Sequence, residues 1–369
     1  MKKLVLLTLE YPPDLGGVAE YLYGLWNALP PSVATGVVQV RLEQKPFAWL
    51  RALPTIAREV YAYKPQGLVI SHILPMGYVA LLLGQPYVVI VHGTDLKRAK
   101  ATAWKKFWAT VVMRYARLVV ANSEYVAELA KSFGISNKKL QVIHPCVLPH
   151  EKVDLTVDVG GSQSEERLFE PHRRVPRRTE WHARSGGQVL LSVCRLVKRK
   201  GIDQVLHVLP ALLKKFPMIR YVVAGSGSEE QNLKTLAKEL GISEFVEFTG
   251  AVEMEERDRL YDQADIFVLP GSELHDDVEG FGIVFLEAAM HAIPSVAGRS
   301  GGSAEAVIDG KTGLMVDSSD PESLEAAIES LLLKPEIAHH MGEAGRERVL
   351  AEFMWDKQAH LLFERLKTL

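Results

Sequence analysis

The chain has almost no cysteine, no long apolar run and almost no net charge, and the first two scarcities each remove a class of protein. Two cysteines among 369 residues, Cys146 and Cys194, have no metal-ligand spacing and cannot build a disulfide framework. They suit a reducing cytoplasm. No stretch approaches the roughly 18 uninterrupted apolar residues of a membrane span, so any membrane contact is expected to be peripheral, on the inner face. Met1-Lys2-Lys3 followed by Leu4 to Leu9 imitates the start of a signal peptide. That run is short, and Glu10-Tyr11-Pro12-Pro13 ends it where a small-residue cleavage site would stand. It reads as a buried first strand. Aromatics at 8% accompany a hydrophobic content of 47%, which is that of a folded protein rather than a disordered one.

The net charge of −2 hides an asymmetry. Residues 1–150 carry 17 Lys and Arg against 8 Asp and Glu, and the remainder has an acidic surplus of 11. A basic first half suits an anionic partner such as a lipid surface or a phosphorylated acceptor, or serves solubility alone. Nucleic acid is disfavoured, since no binding motif accompanies the charge.

Length suits two domains. Short apolar runs bounded by turn residues recur at Leu4–Leu9, Gly67–Ser71, Tyr87–Val91, Leu118–Ala121 and Gln141–Ile143, with helical patterns such as Ala19–Leu29 and Glu124–Phe133 between them. Strands apolar on both faces, alternating with helices, predict an open parallel α/β sheet. The alternation stops over 149–187 and restarts at Val189–Val193, Tyr221–Ala224, Val246–Phe248, Ile266–Leu269, Pro294–Ala297 and Gly313–Val316. The expected organisation is a first Rossmann-like domain over 1–150, a linker or surface excursion over 151–187, and a second Rossmann-like domain over 188–352. Ligands of such doubly wound sheets bind at the carboxyl ends of the strands.

Several loops fall at those ends. Pro12-Pro13-Asp14-Leu15-Gly16-Gly17 offers backbone amides to an anion before a helix, although Gly-Gly turns are common. Arg195 and Lys200 flank the next loop and would neutralise a diphosphate, while Lys198 and Arg199 are expected at the surface. Val223-Ala224-Gly225-Ser226-Gly227 lacks the third glycine of a dinucleotide fingerprint; Gly225 either meets a nucleotide or makes a plain turn. In Asp277–Met290, Ile283, Leu286 and Met290 recur at helical spacing, with Gly280 and Gly282 at the helix entry. Glu279 precedes the first turn, next to the amides of Phe281 and Gly282. Glu287 lies roughly 12 Å further along at 1.5 Å per residue. A glycosidase pair needs carboxylates at most about 9.5 Å apart, so these two glutamates fit the ends of an extended ligand better. A carboxylate on so apolar a helix needs hydrogen-bond donors, which ribose hydroxyls supply. His92-Gly93-Thr94-Asp95 and Ser300-Gly301-Gly302-Ser303-Ala304-Glu305 also follow strands. The first puts a histidine at the cleft, and the second reads as a helix start able to receive phosphate or nucleoside.

Taken together these segments resemble glycosyltransferase family 4, retaining enzymes of the GT-B fold. The resemblance rests on Gly16-Gly17, His92-Gly93, Arg195-x4-Lys200-Gly201, Phe248-Thr249-Gly250, Glu279-x7-Glu287 and Gly301-Gly302-x2-Glu305-x6-Gly313-Leu314, in family order over nearly the whole chain. Asp277–Glu287 with Ala297–Gly302 looks most like mannosyltransferases that use GDP-mannose on phosphatidylinositol mannosides. The resemblance implies that Arg195 and Lys200 hold the donor β-phosphate with the Gly17 amide, and that Glu287 bonds the ribose. It places Glu279, with the Phe281 and Gly282 amides and Ile283, around the donor sugar, with His92 on its other side. It implies no metal and no cofactor, the donor being GDP-mannose or a UDP-hexose and the acceptor an anionic lipid or a glycan. It also implies that the last helix, around Trp355 to Leu369, crosses back onto the first domain. Cys194, where relatives usually have glycine, and Ser303-Ala304, in place of a common x-Pro, depart from the pattern.

Lys97–Arg117 reads as one cationic helix carrying Trp104, Phe107, Trp108 and Tyr115, able to lie in a lipid interface or to pack Val111, Val112 and Tyr115 on the sheet. The reaction expected is hexosyl transfer with retained configuration, the leaving phosphate taking the acceptor's proton. A GT-B sugar-nucleotide epimerase and a non-catalytic nucleotide-sugar-binding protein are the alternatives.

Overall fold

The computed structural model describes residues 3–14, 16–42, 47–147 and 187–367. Of the expected linker over 151–187 only Gly187 lies among them. The described chain forms two six-stranded sheets, each flanked by helices. The first comprises β1 (Leu4–Thr8), β2 (Ala34–Gln39), β3 (Gly67–Ser71), β4 (Tyr87–Val91), β5 (Leu118–Ala121) and β6 (Leu140–Val142). The second comprises β7 (Val189–Val193), β8 (Arg220–Ala224), β9 (Val246–Gly250), β10 (Ile266–Leu269), β11 (Ser295–Gly298) and β12 (Gly313–Val316).

Every strand pair is parallel, in the orders β2-β1-β3-β4-β5-β6 and β12-β11-β10-β7-β8-β9. β1, β3, β4, β5 and β7 are buried along their whole length, as expected of strands covered by helices on both faces. β2 escaped the sequence reading. Its ATGVVQ stretch is mostly half-buried at the sheet edge, so it shows no apolar run. The order of each sheet reverses once, between β1 and β3 and between β7 and β10. Crevices open at the carboxyl ends of strands at such reversals, which brings the loops after β1, β3, β7 and β10 together.

The expected helix over Lys97–Arg117 is two helices, Thr94–Lys100 and Ala103–Tyr115. Thr102 breaks them, its hydroxyl capping the Lys105 amide at 3.2 Å. The second helix buries Ala109, Val112 and Met113, while Tyr115 is 72% exposed and does not face the sheet.

The final helix, Trp355–Lys367, lies against the helix Gly17–Ala28 of the first half. Trp355 meets Tyr21 edge-on, and Gln358 Oε1 accepts from the His144 amide at 3.0 Å. Gly24 makes this approach possible, because a β-carbon there would overlap the Trp355 indole. Gly24→Ala is therefore expected to lower stability by about 1–3 kcal/mol, read from the midpoint of urea unfolding. An unchanged midpoint would show that the indole moves aside freely.

Candidate active site

After β7 the chain makes a tight turn over Lys198–Lys200 and closes it at Gly201, whose φ is +70°. A β-carbon at Gly201 would stand 2.6 Å from the Pro270 carbonyl oxygen, and the Ser272 amide donates to the Arg199 carbonyl at 2.8 Å. The turn is thus pressed onto the loop that follows β10. That pressure directs Arg199 and Lys200 inward, leaving them 6% and 7% exposed. Arg199 Nε donates to Asp277 at 2.8 Å and its Nη1 to Glu279 Oε2 at 2.9 Å; Lys200 Nζ reaches the same Glu279 oxygen at 2.5 Å. Lys198 is exposed as expected, but Arg199 is not a surface residue. A run of charges does not reveal that a turn will fold one of its members under the next loop. Arg195 stays exposed at the mouth of the turn; it adds a smaller share to the lowering of the Glu10 pKa in the first half, which the hydrogen bond to His72 chiefly causes.

Burial opposes the charge on Glu279, yet Lys200 and Arg199 outweigh it and hold its pKa at about 2. The carboxylate is therefore ionised throughout the neutral range. The Phe281 and Gly282 amides donate no hydrogen bond among the described residues. They precede the helix Ile283–Met290, with Gly282 at φ +92°. This is a carboxylate beside two free donors and two cations, a set able to hold hydroxyls and an adjoining phosphate.

Glu287 sits on that helix with 11% of its side chain exposed. Tyr261 donates its hydroxyl to Glu287 Oε2 at 2.8 Å, and Arg257 approaches Oε1 at 3.3 Å. Burial raises the Glu287 pKa to about 7 despite Arg257. Neither Arg257 nor Tyr261 was singled out in the sequence. Both lie on the helix Met254–Gln263, whose polar composition reads as solvent-facing.

On the opposite side, His92 follows β4 and is 8% exposed. Its Nε2 lies 2.9 Å from Ser71 Oγ, and burial pushes its pKa down to about 3, so the ring is neutral. A β-carbon on Gly280 would overlap the His92 carbonyl and one on Gly93 would come 3.4 Å from Gly280 Cα. His92 and the Glu279 loop are therefore neighbours across the junction. Gly17 likewise faces Ile283, its missing β-carbon 3.6 Å from the Ile283 methyl, and Gly16 takes φ +148°. Sequence reasoning missed His72 and Glu10, which pair at 3.3 Å at the ends of β3 and β1. The signal for His72 is conformational: its φ of +69° is rare for a residue with a β-carbon.

Two further glycine loops named in the sequence are closely packed against neighbouring backbone. A β-carbon on Gly225 would overlap the Cys194 carbonyl, so Gly225 lets β8 pack under the turn that carries Arg195. Gly301 and Gly302 lie beneath the Glu279–Gly280 backbone, and the Gly302 amide donates to the Glu279 carbonyl at 2.9 Å. Ser303 Oγ ties the same loop to the Gly298 carbonyl at 2.6 Å. Glu305 reaches across the junction and accepts from the amides of Glu124 and Tyr125 at 2.7 and 2.8 Å. The Cys194 thiol is kept protonated by burial, with its pKa raised to about 11.

Two parallel α/β halves whose switch-point loops meet face to face, with a cation cluster on one side, define the GT-B class. In full-length likeness the chain superposes on Anabaena HepE, solved with UDP and glucose, at a TM-score of 0.77, covering 100% of both chains at 17% identity. Residues 5–151 match the model for Glycosyltransferase Family 4, and residues 177–348 the model for Glycosyl transferases group 1. The chain belongs to this glycosyltransferase family. It is 40% identical over 182 residues to the GDP-mannose-dependent alpha-(1-6)-phosphatidylinositol monomannoside mannosyltransferase of Mycolicibacterium smegmatis, covering 48% of this chain and 47% of that one. It is 32% identical over 262 residues to the D-inositol 3-phosphate glycosyltransferase of Corynebacterium jeikeium, covering 68% and 57%. The chain spans about half the length of the first of these relatives.

Proposed function

We propose that the chain is a retaining hexosyltransferase that uses a nucleoside diphosphate sugar, with GDP-mannose the preferred reading. The observation that carries it is the buried cluster of Glu279 with Arg199 and Lys200, set against His92 across the cleft. Residues 188–352 take the donor and residues 1–150 the acceptor. Lys200 and Arg195 hold the diphosphate with the Gly17 amide, and Arg199 keeps Glu279 ionised and aimed at the sugar. Glu287, fixed by Tyr261, receives the ribose hydroxyls. The cations stabilise charge on the departing diphosphate, whose oxygen takes the proton of the acceptor hydroxyl as the new glycosidic bond forms on the same face. His92, neutral near pH 7, lines the sugar's other side. A phosphatidylinositol mannoside or a related phosphorylated polyol is the acceptor class that the relatives support.

The test is incubation with GDP-mannose, UDP-glucose and UDP-N-acetylglucosamine in the presence of phosphatidylinositol monomannoside. GDP release with an α-linked mannosylated lipid is the expected outcome. Release of a free or isomerised sugar without acceptor would replace this reading by the epimerase one, and nucleotide binding without turnover by the binding-protein one.

Peripheral membrane contact on the inner face is part of the same reading, supported by the first half's surface. Trp104 and Phe107 are 66% and 58% exposed beside Lys105 and Lys106, and Phe47 and Leu50 are exposed next to Trp49. Trp49 stacks on Tyr78, which meets Trp108 edge-on, so one aromatic chain joins these segments. No helix among the described residues is long and apolar enough to cross a membrane. Replacing Trp104 and Phe107 together by serine is expected to cut binding to vesicles containing anionic lipid at least tenfold, since each buried aromatic contributes about 1.5–3 kcal/mol. Equal flotation of the wild type and the double variant would remove this surface from consideration.

A further inference from the structure

The two carboxylates that the donor reading uses are each held by an arginine, and each arginine is linked to the first half. For Arg199 the link is indirect: Asp277 accepts from Arg199 on one oxygen and from Thr94 Oγ1, at 2.8 Å, on the other. For Arg257 it is direct. A single guanidinium nitrogen, Nη1, lies 2.9 Å from Glu20 Oε1 on the helix Gly17–Ala28 and 3.3 Å from Glu287 Oε1. Glu20 and Arg257 are largely buried, at 23% and 19% side-chain exposure. With Glu287 they border a cavity of about 30 Å³ at the junction, room for one water molecule or one hydroxyl group.

We propose that Arg257 is a positioning residue that couples occupancy of the ribose subsite at Glu287 to contact between the two halves through Glu20. The proposal rests on the assignment of Glu287 to the donor ribose. Tyr261 and Arg257 each engage one Glu287 oxygen, and a carboxylate offers about four acceptor positions, so a ribose hydroxyl adds without displacing either. A hydroxyl donated to Glu287 favours its charged form, which burial alone disfavours. The charged form holds the guanidinium more firmly, and the second N–H of the same nitrogen then stays directed at Glu20. Ribose binding and closure therefore reinforce one another. Linkage makes the coupling reciprocal: the closed pair grips ribose more tightly by the same factor.

The experiment is a thermodynamic cycle on the full chain. Calorimetry gives the dissociation constants of GDP, UDP and their 2′,3′-dideoxy counterparts for the wild type, Glu20→Gln and Arg257→Gln. In the wild type, loss of the ribose hydroxyls weakens binding of whichever nucleotide is preferred. In Glu20→Gln that loss is expected to matter less by about fivefold or more, and the nucleotide-induced decrease in radius of gyration seen by small-angle scattering should shrink. Glu20→Gln removes only the charge of one partner and keeps the test available if Arg257→Gln fails to fold. An identical hydroxyl effect in wild type and Glu20→Gln, with nucleotide binding otherwise intact, would overturn the coupling while leaving the donor site standing. Absence of binding by both GDP and UDP in the wild type would remove the donor reading and this proposal with it.

Discussion

Lys200→Ala is expected to lower kcat/KM for transfer about a thousandfold while leaving far-UV circular dichroism unchanged. The ammonium is buried in the turn after β7 and touches Glu279 at 2.5 Å; in the proposed donor pose it meets both the sugar end and the diphosphate end. When the glycosidic bond breaks, negative charge gathers on the diphosphate, and a fixed cation in a water-poor site costs no reorganisation. Glu279 retains Arg199 in the variant, so the fold keeps a partner for the carboxylate. Lys200→Arg should recover only part of the rate, because a planar fork cannot replace a compact ammonium in the same space. Wild-type turnover in Lys200→Ala would sink the assignment of this turn to the leaving group.

Arg199→Ala should act first on stability, by about 3–5 kcal/mol, measured by urea denaturation. Arg199 bridges Asp277 and Glu279 with well-formed bonds of 2.8 and 2.9 Å and is itself 6% exposed. Its removal leaves Glu279 with Lys200 alone and takes from Asp277 its cationic partner. The pH dependence follows from Glu279. Its folded pKa of about 2 lies below the ordinary value of 4.5. It therefore contributes stability that is fully present above 4.5 and lost as pH falls through 2. Without Arg199 the carboxyl's pKa rises and the acid loss of stability begins at higher pH. A variant whose stability and acid limb both match the wild type would show that Asp277 and Glu279 do not depend on this arginine.

The parallel sheets were legible because central strands such as β4 (YVVIV) and β10 (IFVL) are continuous apolar runs. β2 was not, since an edge strand needs only one apolar face. At the site, Glu279, Glu287, His92 and Lys200 stood out because a polar residue beside glycine at a strand end, or on an apolar helix, has few structural reasons to be there. Arg199 and Arg257 hid for the opposite reason. Each sits in a run of other charges, Lys198–Lys200 and Met254–Gln263, and only the tertiary fold shows which member of the run turns inward. His72 gave no signal, because a backbone angle cannot be read from a residue name. Gly225 and the Gly301–Gly302 pair show a further reason for glycine at a strand end: their missing side chains make room for neighbouring backbone.

The crossing of the last helix bears on how the halves can move. The chain leaves the first half after Val147 and returns to it at Trp355, so two covalent tethers join the halves. Two tethers leave a rotation about the line between them as the easy motion and hinder sliding and twisting. Phe353, just before the second tether, packs edge-on against both His144, near the first tether, and Phe281, beside Glu279. The pivot of that rotation and the Glu279 carboxylate are thus separated by a single aromatic ring, so a small turn of one half re-aims the groups around Glu279.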